Sequence, residues 1–344
     1  MSSGAASQAA AVPGLVRSDP RGPGITRERG REGFLYRDAS GTPIAQQEVL
    51  QRIGALAIPP AWTSVWISPD PFGHIQATGV DSRDRTQYLY HPLWREQRDA
   101  RKFEHMLRFA SVLPSLRTAA EQDLRRRALD RERVAAAAVR LIDLGLFRIG
   151  GERYAELDHH YGAATLEKRH VTVTRGGMTF DYIAKEGKHR AITVTDKLVL
   201  PTVRALARSD NQLDALFGYQ HDGAWRILHS HDVSSYIATQ AGAHFTAKEF
   251  RTWNATVLMA LALANGGRSP TALSRKRVIA ASIREVATWL GDTPTVARKS
   301  YVDPRLIERY EADGELPTIP AVPTMLPAPA EAEIAVAALL ADRG

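Results

Sequence analysis

The spacing of apolar and polar residues divides the chain into a short β-rich part and a longer helical part. From residue 33 to about residue 95, brief apolar runs separated by Gly, Pro and Asp predict a set of strands. One amphipathic helix interrupts them, with Thr42 as its cap, Pro43 in its first turn and an apolar stripe that reaches Ile53. The predicted strands are 34–36, 65–67, 74–78 and 87–90.

From residue 101 to about residue 312 the apolar positions follow the 3.6-residue period of helices. The predicted helices are 103–116, 119–146, 198–206, 211–217, 230–240, 246–264 and 273–290. Between residues 168 and 194 the period switches to two, which predicts three strands with Lys185 in the turn between the second and the third. The predicted fold class is therefore α+β, with a small β-rich domain followed by a mainly helical domain that contains a three-stranded sheet.

Composition adds a basic character and excludes some kinds of site. The chain has 344 residues with 45 Lys and Arg against 38 Asp and Glu, and its pI near 9.7 is typical of nucleic-acid-binding proteins. It has no cysteine, which excludes disulfides and cysteine-ligated metals. No apolar run approaches the length of a membrane span, and no secretory apolar core is recognisable. We expect a cytoplasmic, nucleoid-associated protein that does not enter a membrane.

The two ends of the chain lack the periodicity of the middle. Residues 1–27 are rich in Ser, Ala, Gly, Pro and Arg, which predicts a disordered arm. Its candidate DNA contacts are Arg17, Arg21, Arg27 and Arg29. Residues 317–344 are Pro-rich and then Ala-rich, which predicts a flexible tail with a terminal helix. Between them we predict a β-rich domain at 28–98 and a helical domain at 101–316.

The segment 291–301, GDTPTVARKSY, carries the most specific chemical signal in the sequence. Gly291 ends a long helical pattern, and the pair Thr293-Pro294 supplies the cap and first residue of a new short helix. This helix ends at Tyr301 and carries two cations beside it. The cations are Arg298 and Lys299. A tyrosine in such a setting is well placed to meet a phosphate.

Three further segments precede this one in the chain: FRIGGERY at 147–154, AKEGK at 184–188 and TAKEFRTW at 246–253. Taken with GDTPTVARKSY, in this order, they resemble the type IB DNA topoisomerases of the small bacterial, poxvirus-like kind. The resemblance implies a monomer whose two domains form a C-shaped clamp around duplex DNA. It also implies relaxation of supercoils through a 3′-phosphotyrosyl intermediate, strand swivelling and religation, with no cofactor, metal or ATP.

Cleavage of a phosphodiester by tyrosine requires donors for the non-bridging oxygens and an acid for the leaving 5′-oxygen. The resemblance implies that Tyr301 is the nucleophile and that Arg148 and Arg251 bind the phosphate, for which a planar guanidinium is suited. It further implies that Lys185 is the general acid and that Lys248 assists departure of the leaving group. The expected DNA contacts are Tyr154, Arg298 and Lys299, with Gln76, Arg83, Arg85, Gln87 and Tyr88 in the β-rich domain.

One position departs from the family pattern. The residue before Thr293-Pro294 is His or Asn in the family and donates to a non-bridging oxygen, whereas here it is Asp292. A carboxylate accepts hydrogen bonds and repels the developing negative charge, and loss of one such donor costs about 10²–10³ in rate. Asp292 could be protonated, could orient Arg148 or Arg251, or could turn away. We expect a competent but slower enzyme.

Three other functions compete with this prediction. The histidine and aspartate runs at 158–160, 221–222 and 229–232 are compatible with a metal nuclease, although no acidic ligand cluster accompanies them. A tyrosine recombinase shares the catalytic parts but typically carries His where this chain has Lys248. The third alternative is a DNA clamp that Asp292 has weakened catalytically.

Overall fold

The structure, a computed structural model, describes residues 14–31 and 33–342 of the chain. Its contacts separate an N-terminal unit, Met1–Phe103, from a C-terminal unit, Glu104–Gly344. The first unit is β-rich and the second is mainly helical with small sheets, so the predicted α+β class is confirmed. The boundary lies within a long helix, after residue 103 and not at the predicted residue 98.

The N-terminal unit is built on a five-stranded antiparallel sheet with the strand order β2-β1-β3-β4-β5. The strands are β1 (Ile25–Gly30), β2 (Gly33–Arg37), β3 (Thr63–Ile67), β4 (Ile75–Val80) and β5 (Thr86–Tyr90). One helix, α1 (Gln47–Ala55), packs its apolar side onto the sheet through the buried Ile53. This helix begins later than predicted because Pro43 forms an isolated bridge with Arg37. The predicted start at Pro43 is therefore wrong.

The predicted disordered arm is wrong for its described part. Val16 pairs with Gly73, and β1 hydrogen-bonds to both β2 and β3. Arg27, predicted as a DNA contact, lies in β1 and donates to the backbone oxygens of Pro59 (3.0 Å) and Trp62 (2.7 Å). Burial lowers its pKa, and its guanidinium holds the sheet to the following loop. Residues 1–13 lie outside the described part of the chain.

The C-terminal unit is organised around one almost completely buried helix. Its helices are α2 (Pro92–Leu124, shared with the first unit), α3 (Arg131–Gly145), α4 (Glu152–Asp158), α5 (Leu200–Ala207), α6 (Ser230–Ala241), α7 (Ala247–Asn265), α8 (Ala272–Leu290), α9 (Pro294–Ser300), α10 (Pro304–Asp313) and α11 (Ala330–Ala341). Helix α7 is the buried one, and α3, α8, α10 and α11 pack against it. It begins at Ala247, directly after its N-cap Thr246, the predicted first residue, whose hydroxyl and backbone N–H both donate to the Glu249 carboxylate in a capping box.

Two small sheets complete the unit. The predicted three-stranded sheet is confirmed as β6 (Val171–Val173), β7 (Met178–Ala184) and β8 (Lys188–Val194), with Lys185 in the turn between β7 and β8. The predicted helix 211–217 is wrong. A hairpin follows that segment, formed by β9 (Gly218–His221) and β10 (Ala224–Ile227). Its turn residues, Asp222 and Gly223, both have positive φ, as a two-residue hairpin turn requires.

The predicted continuous helix 119–146 is also wrong, because residues 125–130 interrupt it. Helix α2 continues through Pro114 to Leu124, and α3 begins only after Asp130, whose side chain accepts from the backbone N–H of Arg133 at 3.0 Å. This carboxylate cap fixes the start of α3. The end of α3 is equally well defined, because Leu146 adopts a left-handed conformation (φ 50°) and turns the chain toward the site described below.

The predicted flexible tail ends in a packed helix. Helix α11 buries Ala332, Val336 and Leu340. Neither this helix nor any other among residues 14–31 and 33–342 is long and apolar enough to cross a membrane. The terminal helix is thus confirmed, and the flexibility predicted for its residues is wrong.

A buried polar network ties α11 to the interior of the unit. Glu333 receives two hydrogen bonds from Arg117 on α2, and Arg117 also donates to Asp143 on α3 at 2.7 and 3.0 Å. Asn254 on α7 donates to the same Asp143 carboxylate at 3.1 Å. The three helices α2, α3 and α7 and the last helix therefore share one chain of charge-assisted hydrogen bonds.

Breaking this network should destabilise the fold. In Arg117→Met the Asp143 carboxylate, only 2% exposed, loses its charged partner, so we expect a cost of about 3–5 kcal/mol in urea unfolding. The control is Arg309→Met, which breaks the exposed pair with Asp342 and should cost less than about 1 kcal/mol. Equal costs for the two variants would contradict a special role for the network.

Candidate active site

Tyr301 is presented by the helix that the sequence predicts for it. Gly291 ends α8 with φ 64°, and Thr293 caps α9 by accepting from the backbone N–H of Val296. Tyr301 is the residue at which α9 ends. Its side chain is 6% exposed, and its backbone oxygen accepts from the Thr256 hydroxyl of α7 at 3.1 Å. The phenol is thus held by a short capped helix on one side and by the buried helix on the other.

Arg148 reaches Tyr301 from the end of α3. The left-handed Leu146 turns the chain, and the Arg148 side chain, 29% exposed, extends into the site. Its Nη1 donates to Tyr301 Oη at 3.0 Å. A guanidinium donor at the phenol oxygen favours the ionised form of the tyrosine and leaves the oxygen's remaining lone pair available.

Arg251 approaches the same tyrosine from α7. Its guanidinium carbon lies 4.9 Å from the centre of the Tyr301 ring. The side chain is 3% exposed and donates to the backbone oxygens of Leu146 and Leu290, the latter at 3.1 Å. Burial lowers the pKa of Arg251, although a guanidinium stays charged in proteins. Arg251 therefore joins the ends of α3 and α8 while it faces the phenol.

The two arginines change the acidity of the tyrosine. Burial of the phenol would raise the pKa of Tyr301, but the positive charges of Arg251 and Arg148 outweigh burial and lower it below the usual value for tyrosine. A tyrosine with a lowered pKa is more readily deprotonated and is a better nucleophile near neutral pH. The geometry thus supplies a phenol of lowered pKa beside two guanidinium cations.

In this structure the side chains of Arg148 and Arg251 are both hydrogen-bonded to the Asp292 carboxylate. Its side chain is 4% exposed, and Arg148 Nη2 donates to both of its oxygens at 2.8 and 2.9 Å. Arg251 Nη2 donates to Oδ2 at 2.9 Å. Of the three arrangements considered from the sequence, the structure shows the second, with a carboxylate that orients both guanidiniums. The same contacts place the carboxylate on the donors that the sequence predicts for a phosphate.

Arg190 supports the site and was missed in the sequence. It lies on β8, is 9% exposed, and donates to the backbone oxygens of Leu290 (2.7 Å), Trp289 (3.0 Å) and Gly145 (3.3 Å). These acceptors are at the ends of α8 and α3, just before Asp292 and Arg148. The strand predicted from the sequence here covers only 192–194, whereas β8 begins at Lys188 and places Arg190 at an inward-facing position, where a charge is costly unless it is used.

The lysines predicted to act on the leaving group lie at the periphery. Lys185 is exposed in the turn after β7, and Lys248 is exposed in the first turn of α7, one turn before Arg251. A different lysine of the same turn comes closer, since Lys188 Nζ lies 3.9 Å from Asp292 Oδ1. The structure therefore brings together Arg148, Arg251, Asp292 and Tyr301, but not Lys185 or Lys248.

The predicted DNA contacts of the C-terminal unit are surface residues. Tyr154 lies on α4 and is 57% exposed. Arg298 and Lys299 are exposed on α9, the helix that ends at Tyr301. All three are accessible to a ligand, and their contact with DNA stays a prediction.

In the N-terminal unit, one predicted contact needs correction. Gln76 is 3% exposed, its amide donates to the backbone oxygens of Pro71 and Gly73, and its oxygen accepts from Arg52. It is a buried structural residue and has no free amide for a base or phosphate. The other contacts predicted here, Arg83, Arg85, Gln87 and Tyr88, lie on β5 or the turn before it.

The turn before β5 is organised by one carboxylate. Asp81 accepts from Arg85 at 2.7 Å and from the Gln87 amide at 2.8 Å, and hydrogen bonds from these side chains and from the turn backbone lower its pKa. Tyr88 is 46% exposed and stacks on Tyr90 at 6.0 Å. The edge strand β5 and its turn thus present an aromatic pair next to fixed polar side chains.

The histidine runs do not assemble into a metal site. Within the part of the chain that the structure describes, no three His, Cys, Asp or Glu side chains are grouped so that they could hold a metal ion. Asp232 is already bound to Arg131 at 2.7 Å and caps the backbone N–H of His229 at 2.9 Å. These contacts explain the run at 229–232 as a helix cap, and the metal-nuclease alternative gains no geometric support.

Comparison with known proteins finds matches in both the β-rich and the helical part of the chain. Residues 92–315 match the family described as eukaryotic DNA topoisomerase I, catalytic core, and residues 33–81 match bacterial DNA topoisomerase IB, N-terminal domain. The DNA topoisomerase 1B of Acanthamoeba polyphaga mimivirus is 31% identical over 300 residues, which cover 85% of this chain and 89% of the viral protein. The DNA topoisomerase I of monkeypox virus is 21% identical over 233 residues, which cover 67% of this chain and 70% of that protein. The vaccinia virus (strain Copenhagen) DNA topoisomerase 1B gives the same values.

Proposed function

This chain belongs to the type IB DNA topoisomerases, enzymes that relax supercoiled DNA, and on that premise we propose how its residues cleave one strand. Tyr301 Oη attacks the scissile phosphorus and forms a 3′-phosphotyrosyl bond, while the bond to the 5′-oxygen breaks. The broken strand swivels about the intact one, and the 5′-hydroxyl then attacks the phosphotyrosine to restore the DNA and release Tyr301. The phosphotyrosyl bond conserves the energy of the broken linkage, so ATP is not consumed.

The observation that carries this proposal is the contact between Arg148 Nη1 and Tyr301 Oη at 3.0 Å, with Arg251 4.9 Å from the same ring. The two guanidiniums lower the pKa of the nucleophile and are placed to bind the non-bridging oxygens, whose charge grows in the transition state. Lys185 and Lys248 are exposed and long enough to approach a leaving 5′-oxygen once DNA is bound. We assign them to protonation of that oxygen.

The remaining contacts with DNA are proposed for surface residues of each unit, all exposed except the half-buried Gln87, whose amide donates to Asp81. In the C-terminal unit these are Tyr154, Arg298 and Lys299, and in the N-terminal unit Arg83, Arg85, Gln87 and Tyr88. Phosphate contacts position a duplex without reading its sequence, so loss of one basic contact should weaken binding to all duplexes alike. Because one chain contributes Tyr301, both arginines and Asp292, the proposed chemistry requires no second copy, and we propose a monomer that acts on nucleoid DNA in the cytoplasm.

Incubation of the purified protein with supercoiled plasmid in EDTA and without ATP tests this function. We expect a ladder of topoisomers from both positively and negatively supercoiled plasmid, together with a covalent protein–DNA complex trapped by denaturant. Relaxation that requires a divalent cation or ATP would contradict the proposed chemistry. Binding to the plasmid without any relaxation would instead indicate the catalytically weakened clamp.

The position of Asp292 gives a prediction of rate. Asp292→Asn preserves the shape, removes the negative charge from the phosphate donors and adds an amide donor, so we expect single-turnover cleavage to accelerate by up to about 10²–10³. The measurement is the rate of covalent-complex formation on a short duplex whose cleaved end dissociates. Asp181→Asn, an exposed carboxylate of β7 paired with His189, is the matched control and should leave the rate unchanged. An Asp292→Asn rate no faster than wild type would refute the idea of a missing donor.

A further inference from the structure

The turn between β7 and β8 brings a lysine to the pocket that the proposed mechanism does not use. Lys188 Nζ lies 3.9 Å from Asp292 Oδ1 and 3.2 Å from Glu186 Oε2. The Lys188 side chain is 34% exposed, so its ammonium is open to a ligand on the side that faces solvent. Glu186, at 61% exposure, can turn away from it at little cost.

The strand register explains why Lys188 faces the site. Alternate residues of a strand point to the same face, so Lys188 and Arg190 share one face of β8. Arg190 on that face is buried against the ends of α3 and α8. Lys188, two residues nearer the turn, therefore lies at the mouth of the same pocket, whereas Lys185 lies at the exposed tip of the turn.

The sum of the charges in the pocket indicates a role for Lys188. Among the groups that face the phenol, the guanidiniums of Arg148 and Arg251 and the Asp292 carboxylate sum to one positive charge, and the Lys188 ammonium restores the sum to two. The Arg190 guanidinium is left out of this sum because it donates to backbone oxygens, and Glu186 because its side chain is largely exposed. A net charge of plus two is what Arg148 and Arg251 would supply if position 292 carried a neutral donor instead of Asp292. We propose that Lys188 is a third cation of the cleavage pocket, which binds a non-bridging oxygen of the scissile phosphate and offsets the charge of Asp292. This inference rests on the proposed function.

A double-mutant cycle tests the proposal through the coupling between the two residues. Single-turnover cleavage is compared for wild type, Lys188→Gln, Asp292→Asn and the double variant. We expect Lys188→Gln to slow cleavage about 10- to 100-fold, less than the about 10²–10³ of a fully enclosed donor because Lys188 is partly exposed. In the Asp292→Asn background the same substitution should cost at least about fivefold less, because no carboxylate remains to be offset.

Lys197→Gln is the matched control, an exposed lysine just beyond the other end of β8, and should cleave like wild type. A Lys188→Gln rate equal to wild type would overturn the proposal, and so would an equal loss in both Asp292 backgrounds. Wild-type protein that forms no covalent complex would refute the proposed function itself, which separates the two failures.

A substrate with sulfur in place of the scissile 5′-oxygen separates phosphate binding from acid catalysis. A thiolate leaves without a proton, so this substrate rescues a variant that lacks the general acid. We expect rescue for Lys185→Gln but none for Lys188→Gln, because Lys188 acts on a non-bridging oxygen. Rescue of Lys188→Gln would show that it protonates the leaving group, contrary to the proposal.

Discussion

Tyr301→Phe should abolish both plasmid relaxation and the covalent DNA complex, with a loss of about 10⁴-fold or more in cleavage rate. The substitution removes only Oη, the atom that accepts from Arg148 at 3.0 Å, and leaves the ring packed beside Arg251. In the proposed mechanism the phenol is the attacking group itself, so we expect no other residue of the pocket to replace it. The fold should survive, because the ring keeps its place at the end of α9.

The measurement pairs gel-based relaxation with the trapping of covalent complex on a labelled duplex. DNA affinity should stay within a few-fold of wild type, because the exposed basic residues proposed to bind phosphates are unchanged. Tyr219→Phe, in the β9–β10 hairpin, is the control for loss of a tyrosine hydroxyl and should relax DNA normally. Relaxation by Tyr301→Phe would mean that another residue is the nucleophile, and the assignment of the whole pocket would fail.

Arg251→Met and Arg148→Met should both slow cleavage by about 10²–10³, since each removes one preorganised donor to the phosphate. They should differ in stability. Arg251 is buried and links Leu146, Leu290 and Asp292, so its loss should cost about 3–5 kcal/mol of folding free energy. Arg148 is partly exposed, and its loss should cost no more than about 2 kcal/mol.

Single-turnover cleavage and urea unfolding of the same preparations separate the two effects. Circular dichroism at the assay temperature should confirm that Arg251→Met is folded before its rate is interpreted. Arg140→Met, which breaks the Arg140–Asp196 pair (2.9 Å) away from the nucleophile, controls for the loss of a partly buried arginine. If Arg251→Met were as stable as Arg148→Met, the role of Arg251 in joining α3 to α8 would be refuted.

The sequence was sufficient for the fold class and for the four residues that meet in the pocket. Arg148 and Arg251 were assigned from the resemblance of their segments to the family, whereas Tyr301 also follows a local signal, the Thr293-Pro294 cap of its helix. Such residues can be recognised in the sequence because each lies in a short contiguous segment that carries the motif. The departure at Asp292 was visible for the same reason, but the direction of its side chain was not.

Residues that act through tertiary contacts were not predictable in this way. Arg190 and Lys188 become significant only when β8 is laid against the ends of α3 and α8. Gln76 was wrongly taken as a DNA contact because a strand residue shows nothing of its burial until the neighbouring strands and loops are placed.

Two element boundaries were wrong because a neglected signal outweighed apolar spacing. Asp130 starts α3 as an N-cap in a region where the Ala-rich pattern favoured one continuous helix. Asp222-Gly223 is a strong hairpin turn, yet the apolar positions at 211–217 were assigned to a helix and the following strands were overlooked. In the first case a cap residue and in the second a two-residue turn determined the local structure.

The hydrogen-bond network through Glu333 can be completed only late in the synthesis of the chain. The chain is synthesised from its N-terminus, so Arg148, Arg251 and Tyr301 all leave the ribosome before α11. Arg117, which already has Asp143 as a partner on α3, receives its second carboxylate only when Glu333 arrives. The polar support behind the two helices that carry the pocket arginines is thus completed last, after every residue proposed to cut DNA has been synthesised.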